Sequence, residues 1–197
     1  MPEVDAEKVI LAQNGDTQAF AELVEAHQIA VYNLCFRMLG DPYEAEDAAQ
    51  ETFIRAYKGI KSYDRTRSFS TWILSIAAHY CIDQLRKNRL KITQLEEKPY
   101  FEIPDPGPNP EAFISDIEQQ KGIRKLLNAL NEVDRAAVIM FYWYEFSYDE
   151  IAKVLDLSVS AVKSRLHRAR ILLAKTWQDQ NQTTSGLERQ TYGTSAL

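Results

Sequence analysis

The sequence predicts an all-α protein built as two small helical domains. Apolar residues recur at three- and four-residue steps along most of the chain, and no stretch alternates apolar and polar residues as a half-buried strand would. Residues that start and stop helices fall between these periodic runs. Four of the seven prolines, Pro104, Pro106, Pro108 and Pro110, crowd into one acidic stretch. Proline lacks an amide donor and disfavours helix in the residue before it, so residues 94–110 read as a flexible linker. A chain of 197 residues with 45% hydrophobic content can place a small core on each side of that linker. The expected division is a domain over 1–93, the linker, a domain over 111–177, and a polar, disordered tail over 178–197.

The elements follow in order. A short helix spans about 5–14 and stops at Gly15. Asp16 can cap a long helix over about 17–39, whose apolar face reads Phe20, Leu23, Val24, Val31, Leu34, Cys35 and Met38. Asp41-Pro42-Tyr43-Glu44 combines a capping Asp, a proline at the first helical position and an early acid, so a third helix runs to about Tyr57. Its alanines (Ala45, Ala48, Ala49, Ala56) and Phe53 face inward, with Glu44, Asp47, Gln50 and Glu51 on the other side. After a loop at 61–68, a helix over about 69–88 buries Trp72, Ile73, Ile76, Tyr80 and Leu85. Helices resume over 111–130, and Asp134 can cap another to about 144.

A helix-turn-helix closes the pattern at 147–173. Ser147 and Glu150 form a capping box. Asp156 tolerates a left-handed turn better than most residues, and Ser158 or Ser160 can cap the helix that follows. That helix buries Val162, Leu166 and Ala169. Its outer side presents Ser160, Lys163, Ser164, Arg165, His167, Arg168 and Arg170. Such a face suits a major groove, where Ser and Arg bond base edges and Lys and Arg neutralise phosphates.

The net charge of −5 hides an alternation: −9 over 1–54, +7 over 55–93, −7 over 94–156 and +4 over 157–197. Basic segments attract phosphates, and acidic ones suit a protein partner. No apolar run approaches the length of a membrane span. The opening MPEVDAEK has no apolar core, so no secretory signal is expected and the chain reads as cytoplasmic, without membrane insertion. Cys35 and Cys81 form no CxxC and read as buried reduced thiols. There is no metal-ligand cluster, phosphate-cradling loop or triad-like motif, so neither an enzyme nor a metal, cofactor or small-molecule substrate is expected.

The run FSYDEIAKVLDLSVSAVKSRLHRARILL resembles the region 4.2 helix-turn-helix of bacterial sigma factors of the extracytoplasmic-function (ECF) group. GDPYEAEDAAQETFIRAY resembles sigma region 2.2, and RSFSTWILSIAAHYCIDQLRK resembles regions 2.3 and 2.4. The motifs lie in the family's order and cover about residues 7–175. The resemblance implies a sigma factor that binds core RNA polymerase, through the clamp helices of the largest subunit and the flap region, and directs it to promoter DNA. It implies polymerase contact at Asp47, Gln50 and Glu51. It implies −35 contact at Ser160, Lys163, Ser164, Arg165, His167 and Arg168, and −10 contact at Ser62, Tyr63, Arg65, Arg67, His79, Arg86 and Lys87. In the family, the loop before the FSTW motif and the helix after it hold a flipped-out base. It also implies an anti-sigma factor as partner. Two positions depart from the pattern: His79, where many relatives carry Asn, and Ala161, where Thr is frequent. The rival reading is a helix-turn-helix regulator that acts without polymerase, which leaves the acidic 41–51 helix and the basic 61–91 segment without a purpose.

Overall fold

The computed structural model describes residues 2–92 and 121–191, with side chains over 6–89 and 121–179. The helices are α1 (Pro2–Gln13), α2 (Thr17–Leu39), α3 (Pro42–Gly59), α4 (Phe69–Ile92), α5 (121–128), α6 (Glu132–Trp143), α7 (Tyr148–Leu155) and α8 (Val159–Thr191). A single 3-10 turn, Ile60–Ser62, follows α3. There is no strand among the described residues. None of their helices is long and apolar enough to cross a membrane.

Helix α2 is the axis of the first domain and packs on α1, α3 and α4. Its Leu23, Val31, Leu34, Cys35 and Met38 are fully buried, as the three- and four-residue period requires. Helix α3 meets it through Ala45, Ala48 and Ala56, also fully buried, whose small side chains let the helix axes approach closely. Local chemistry sets the boundaries. The Asp16 carboxylate accepts from the amides of Gln18 and Ala19 at 2.9 and 3.0 Å, starting α2. Gly40 ends it at φ 77°, a left-handed backbone that favours glycine. Asp41 accepts from the Glu44 amide and Pro42 opens α3, as the sequence signature reads. The two thiols, Cys35 and Cys81, are free and fully buried. The neighbouring Cys35 thiol and burial push the Cys81 thiol up, so it stays protonated.

In the second domain α7 and α8 both pack on α6, around Ile139, Met140, Ile151, Val162 and Leu166. Asn131 rather than Asp134 caps α6. Asn131 has the extended backbone of a cap and its side chain accepts from the Asp134 amide at 2.9 Å. Asp134 is displaced into the first turn, where its carboxylate accepts from Asn131 and Arg165. Helix α8 continues through Thr191, where a disordered tail was expected from 178. The segment 178–191 contains no proline, and extending an existing helix needs only one residue ordered per added hydrogen bond. The linker at 94–110 and the start of the expected 111–130 helix lie outside the described residues.

Helix α6 also packs on α2 and α4, joining the two domains. The buried Arg135 guanidinium donates to the Met38 carbonyl at 2.6 Å and to that of Leu130 at 3.4 Å. Met38 lies in the last turn of α2, where carbonyls have no helical partner and the helix dipole favours a cation. The Tyr144 hydroxyl donates to the Ala30 carbonyl at 2.6 Å, and burial pushes its pKa up to about 12. Arg37 stacks over the Trp143 ring at 5.3 Å.

The capping box of α7 is complete: Ser147 and Glu150 each bond the other's backbone. The Ser147 amide and hydroxyl and the Thr71 side chain hold the Glu150 carboxyl below its ordinary value of 4.5. Its contribution to stability is therefore present above that value and is lost as pH falls through the lowered one. Ser147→Ala should cost about 1 kcal/mol, read as a lower denaturant midpoint at neutral pH. The same variant should lose less stability than the parent on acidification to pH 4.

Candidate nucleic-acid interface

The turn between α7 and α8 is built from three local bonds. Asp156 adopts the left-handed backbone (φ 53°, ψ 51°), and its amide donates to the Ala152 carbonyl. The Leu157 amide donates to the same carbonyl at 2.9 Å. Ser158 then caps α8, its hydroxyl accepting from the Ala161 amide at 3.2 Å. The Ser160 hydroxyl pairs with that of Ser158 at 3.1 Å. Val162, Leu166 and Ala169 are buried against the domain, which fixes the rotation of α8. Ser160, Lys163, Ser164, His167 and Arg168 then fall on one exposed face, at steps of three and four. Lys163 lies over the Tyr148 ring at 5.6 Å. Arg165 departs from the expected outward row: it is half-buried and its Nη1 meets an Asp134 carboxylate oxygen at 2.7 Å. Its guanidinium is engaged within the domain by that pair.

The second basic surface is the loop before α4. Asp64 accepts from the Thr66 amide and hydroxyl at 3.0 and 2.8 Å, forming an Asx turn. These two bonds hold its carboxyl below the usual carboxylate range. Beneath the loop, the Gln13 side chain of α1 donates to the carbonyls of Ile60 and Tyr63 at 3.0 and 2.9 Å. Tyr63, expected among the DNA contacts, is buried instead. Its hydroxyl donates to the Arg67 carbonyl, and its ring packs on Phe69 and Trp72 at centroid distances of 5.8 and 4.7 Å. It shapes the loop from within. Ser62 is exposed, but its hydroxyl is spent on the Gly59 carbonyl at 2.9 Å. Arg65 and Arg67 are exposed, as are Arg86 and Lys87 farther along α4. Arg86 pairs with Glu132 at 3.2 Å.

His79 is exposed, with Nδ1 at 2.8 Å from the Ser75 carbonyl. A carbonyl only accepts, so Nδ1 carries the proton and Nε2 of the neutral ring is an acceptor. With Arg67, Ser68, Thr71, Trp72 and Ser75 it lines a cavity of about 420 Å³, closed on the far side by Glu150, Lys153 and Val154 of α7.

The acidic face of α3 lies elsewhere. Asp47 and Gln50 are exposed, and Glu51 is half-exposed and paired with Arg55 at 2.7 Å. Beside Gln50 an apolar groove of about 490 Å³ runs between α2 and α3, lined by Val24, Ile29, Tyr32, Ala49 and Phe53 among others. Ile29 is 72% exposed, and Tyr43 and Ile54 are exposed on α3. The sequence reading passed over Ile29. Its signal is an isoleucine outside the buried stripe of α2.

Comparison with known proteins agrees with this layout. Sigma-70 region 2 matches residues 23–91, and Sigma-70 region 4 matches residues 120–173. The ECF RNA polymerase sigma factor SigW of Bacillus subtilis (strain 168) is 37% identical over 174 residues, covering 85% of this chain and 93% of that protein. Among solved structures, CnrH in complex with the cytosolic domain of CnrY superposes with a TM-score of 0.67 at 21% identity, covering 90% of this chain and 99% of that one. The sigma factor RpoE of Bartonella quintana, in complex with the anti-sigma factor NepR, gives 0.66 at 21% identity, covering 82% and 98%. The two structural likenesses speak for the fold, and the sequence matches for the family. The chain therefore belongs to the sigma-70 family, within its ECF group, and is a sigma factor that directs transcription initiation.

Proposed function

We propose that the two domains divide promoter recognition between them while α3 holds the polymerase. The exposed row Ser160, Lys163, Ser164, His167 and Arg168, backed by a buried row that fixes the helix rotation, carries this reading. That row would lie in the major groove of the −35 element, and Arg165 would join it by exchanging Asp134 for a phosphate. The loop with Arg65 and Arg67 would engage the −10 strand, and Arg86 and Lys87 its backbone. A flipped base would enter beside His79, whose Nε2 would accept from an exocyclic amine. Tyr63 and Ser62 would support the loop rather than touch DNA.

Asp47, Gln50 and Glu51 would meet the clamp helices of the largest polymerase subunit. The adjoining groove with Ile29 and Phe53 supports this, because interfaces combine an apolar centre with a polar rim. The chain would act in the cytoplasm, together with polymerase and DNA. An anti-sigma factor as regulator rests on similarity to proteins that bind one.

Run-off transcription with core polymerase on genomic fragments tests the whole reading and reveals the promoter. Failure to co-elute with core polymerase would sink it. Asp47→Lys with Glu51→Lys should weaken core binding at least tenfold with the helical circular dichroism unchanged; an unaltered affinity would remove α3 from the interface. Arg168→Ala should weaken −35 duplex binding and, if the lost contact is to phosphate, reduce the salt slope by ~1. A slope and affinity equal to the parent's would contradict the groove assignment.

A further inference from the structure

A cationic cavity lies apart from the surfaces given roles above. The last turns of α2, helix α5 and the end of α6 enclose about 310 Å³. Arg37, Lys121 and Arg124 line it, together with Phe36, Leu127 and Trp143. Among the described residues, no carboxylate lines it. The chain carries a net charge of −5, so three converging cations without an acid between them run against its composition. Like charges gathered in a concave site raise the local potential and favour an anion there.

Two of the cations are set in place by neighbours. Arg37 is half-buried; it stacks over the Trp143 ring at 5.3 Å and its Nη1 donates to the Asn33 carbonyl at 3.1 Å. A guanidinium has several further N–H donors for a second partner. Arg124 lies against Gly40, its Nε 2.7 Å from where a β-carbon would stand. The missing side chain at 40 therefore makes room for that guanidinium. Neither arginine enters an ion pair among the described residues. One term opposes an anion here: the cavity adjoins the negative pole of α2. The carbonyls of that pole already have donors. Gly40 donates to Phe36 at 2.8 Å, Arg37 to Asn33, and Arg135 to Met38.

The lining selects the ligand. Guanidinium forks and an ammonium match the oxygens of a phosphate chain. The wall of Phe36, Leu127 and Trp143 matches a flat, weakly polar ring. The volume falls at the lower end of the ~300–1,000 Å³ usual for small-ligand sites. We propose that this cavity binds a nucleoside di- or triphosphate, its phosphates on Arg37, Lys121 and Arg124 and its base against the apolar wall. The walls come from α2 of the first domain and from α5 and α6 of the second, so the ligand touches both. This inference does not rest on the promoter and polymerase roles proposed above.

The test is calorimetric titration of the free full-length chain with GDP, in low salt with EDTA. GDP should saturate one site with a Kd below about 1 mM. Pyrophosphate and guanosine, each carrying half of the ligand's chemistry, should bind at least ~10-fold more weakly. Arg124→Gln and Lys121→Ala change exposed residues and should each weaken GDP ~10-fold, with the helical circular dichroism unchanged. Lys125→Gln, on the same helix but outside the cavity, should stay within twofold of the parent. Absence of saturable GDP binding would overturn the site. Pyrophosphate binding as tightly as GDP would overturn the nucleoside half of it. Equal weakening by Lys125→Gln would reduce the effect to diffuse charge and overturn it as well.

Discussion

The guanidinium of Arg135 lies in the seam between α6 and the end of α2, donating to the Met38 carbonyl. It is the buried polar contact among those that join the two domains. Burial pushes its pKa down while the nearby Glu132 pushes it up, and its Nε has no hydrogen-bond partner. Such a residue adds little net stability, because desolvation offsets most of the attraction. It adds specificity instead: a buried cation tolerates few arrangements, and a helix C-terminus with unpaired carbonyls is one of them. The seam is therefore defined in register by Arg135 beside its other contacts, the Tyr144–Ala30 bond and the Arg37–Trp143 stack.

Much of the fold was legible because local chemistry decides it. Asp16, Gly40, Asp41 with Pro42, and Ser147 with Glu150 act within one helical turn, and each performs the role its sequence pattern reads. The cap of α6 shows the limit. Asn131 and Asp134 are both good caps three residues apart. Only the tertiary need of Arg165 for a carboxylate, from 31 residues away, shows why Asp134 is worth more inside the helix. The end of α8 was misjudged for a related reason. Polar composition argues against a packed core but does not break a helix already under way.

The candidate site was legible to the extent that exposure follows helical period. The row on α8 and the pair Asp47 and Gln50 on α3 stand where spacing puts them. Loops carry no such period. Tyr63 reads as a DNA contact in sequence, yet the rings of Phe69 and Trp72 draw it inward. The groove beside Gln50 escaped for the opposite reason: an isolated apolar residue such as Ile29 acquires meaning only when a second helix completes its wall.

The Gln13 amide has a wider consequence. One side chain from α1 bridges two carbonyls, of Ile60 and Tyr63, at the root of the loop before α4. The first helix thus serves as a splint for a surface nearly fifty residues downstream. With the splint in place, the loop is shaped during folding, so its ordering entropy is not left to be spent at association with a partner. The first helix therefore bears on a surface it does not itself form: loss of the Gln13 bridge would leave the ordering of that loop to be met at association.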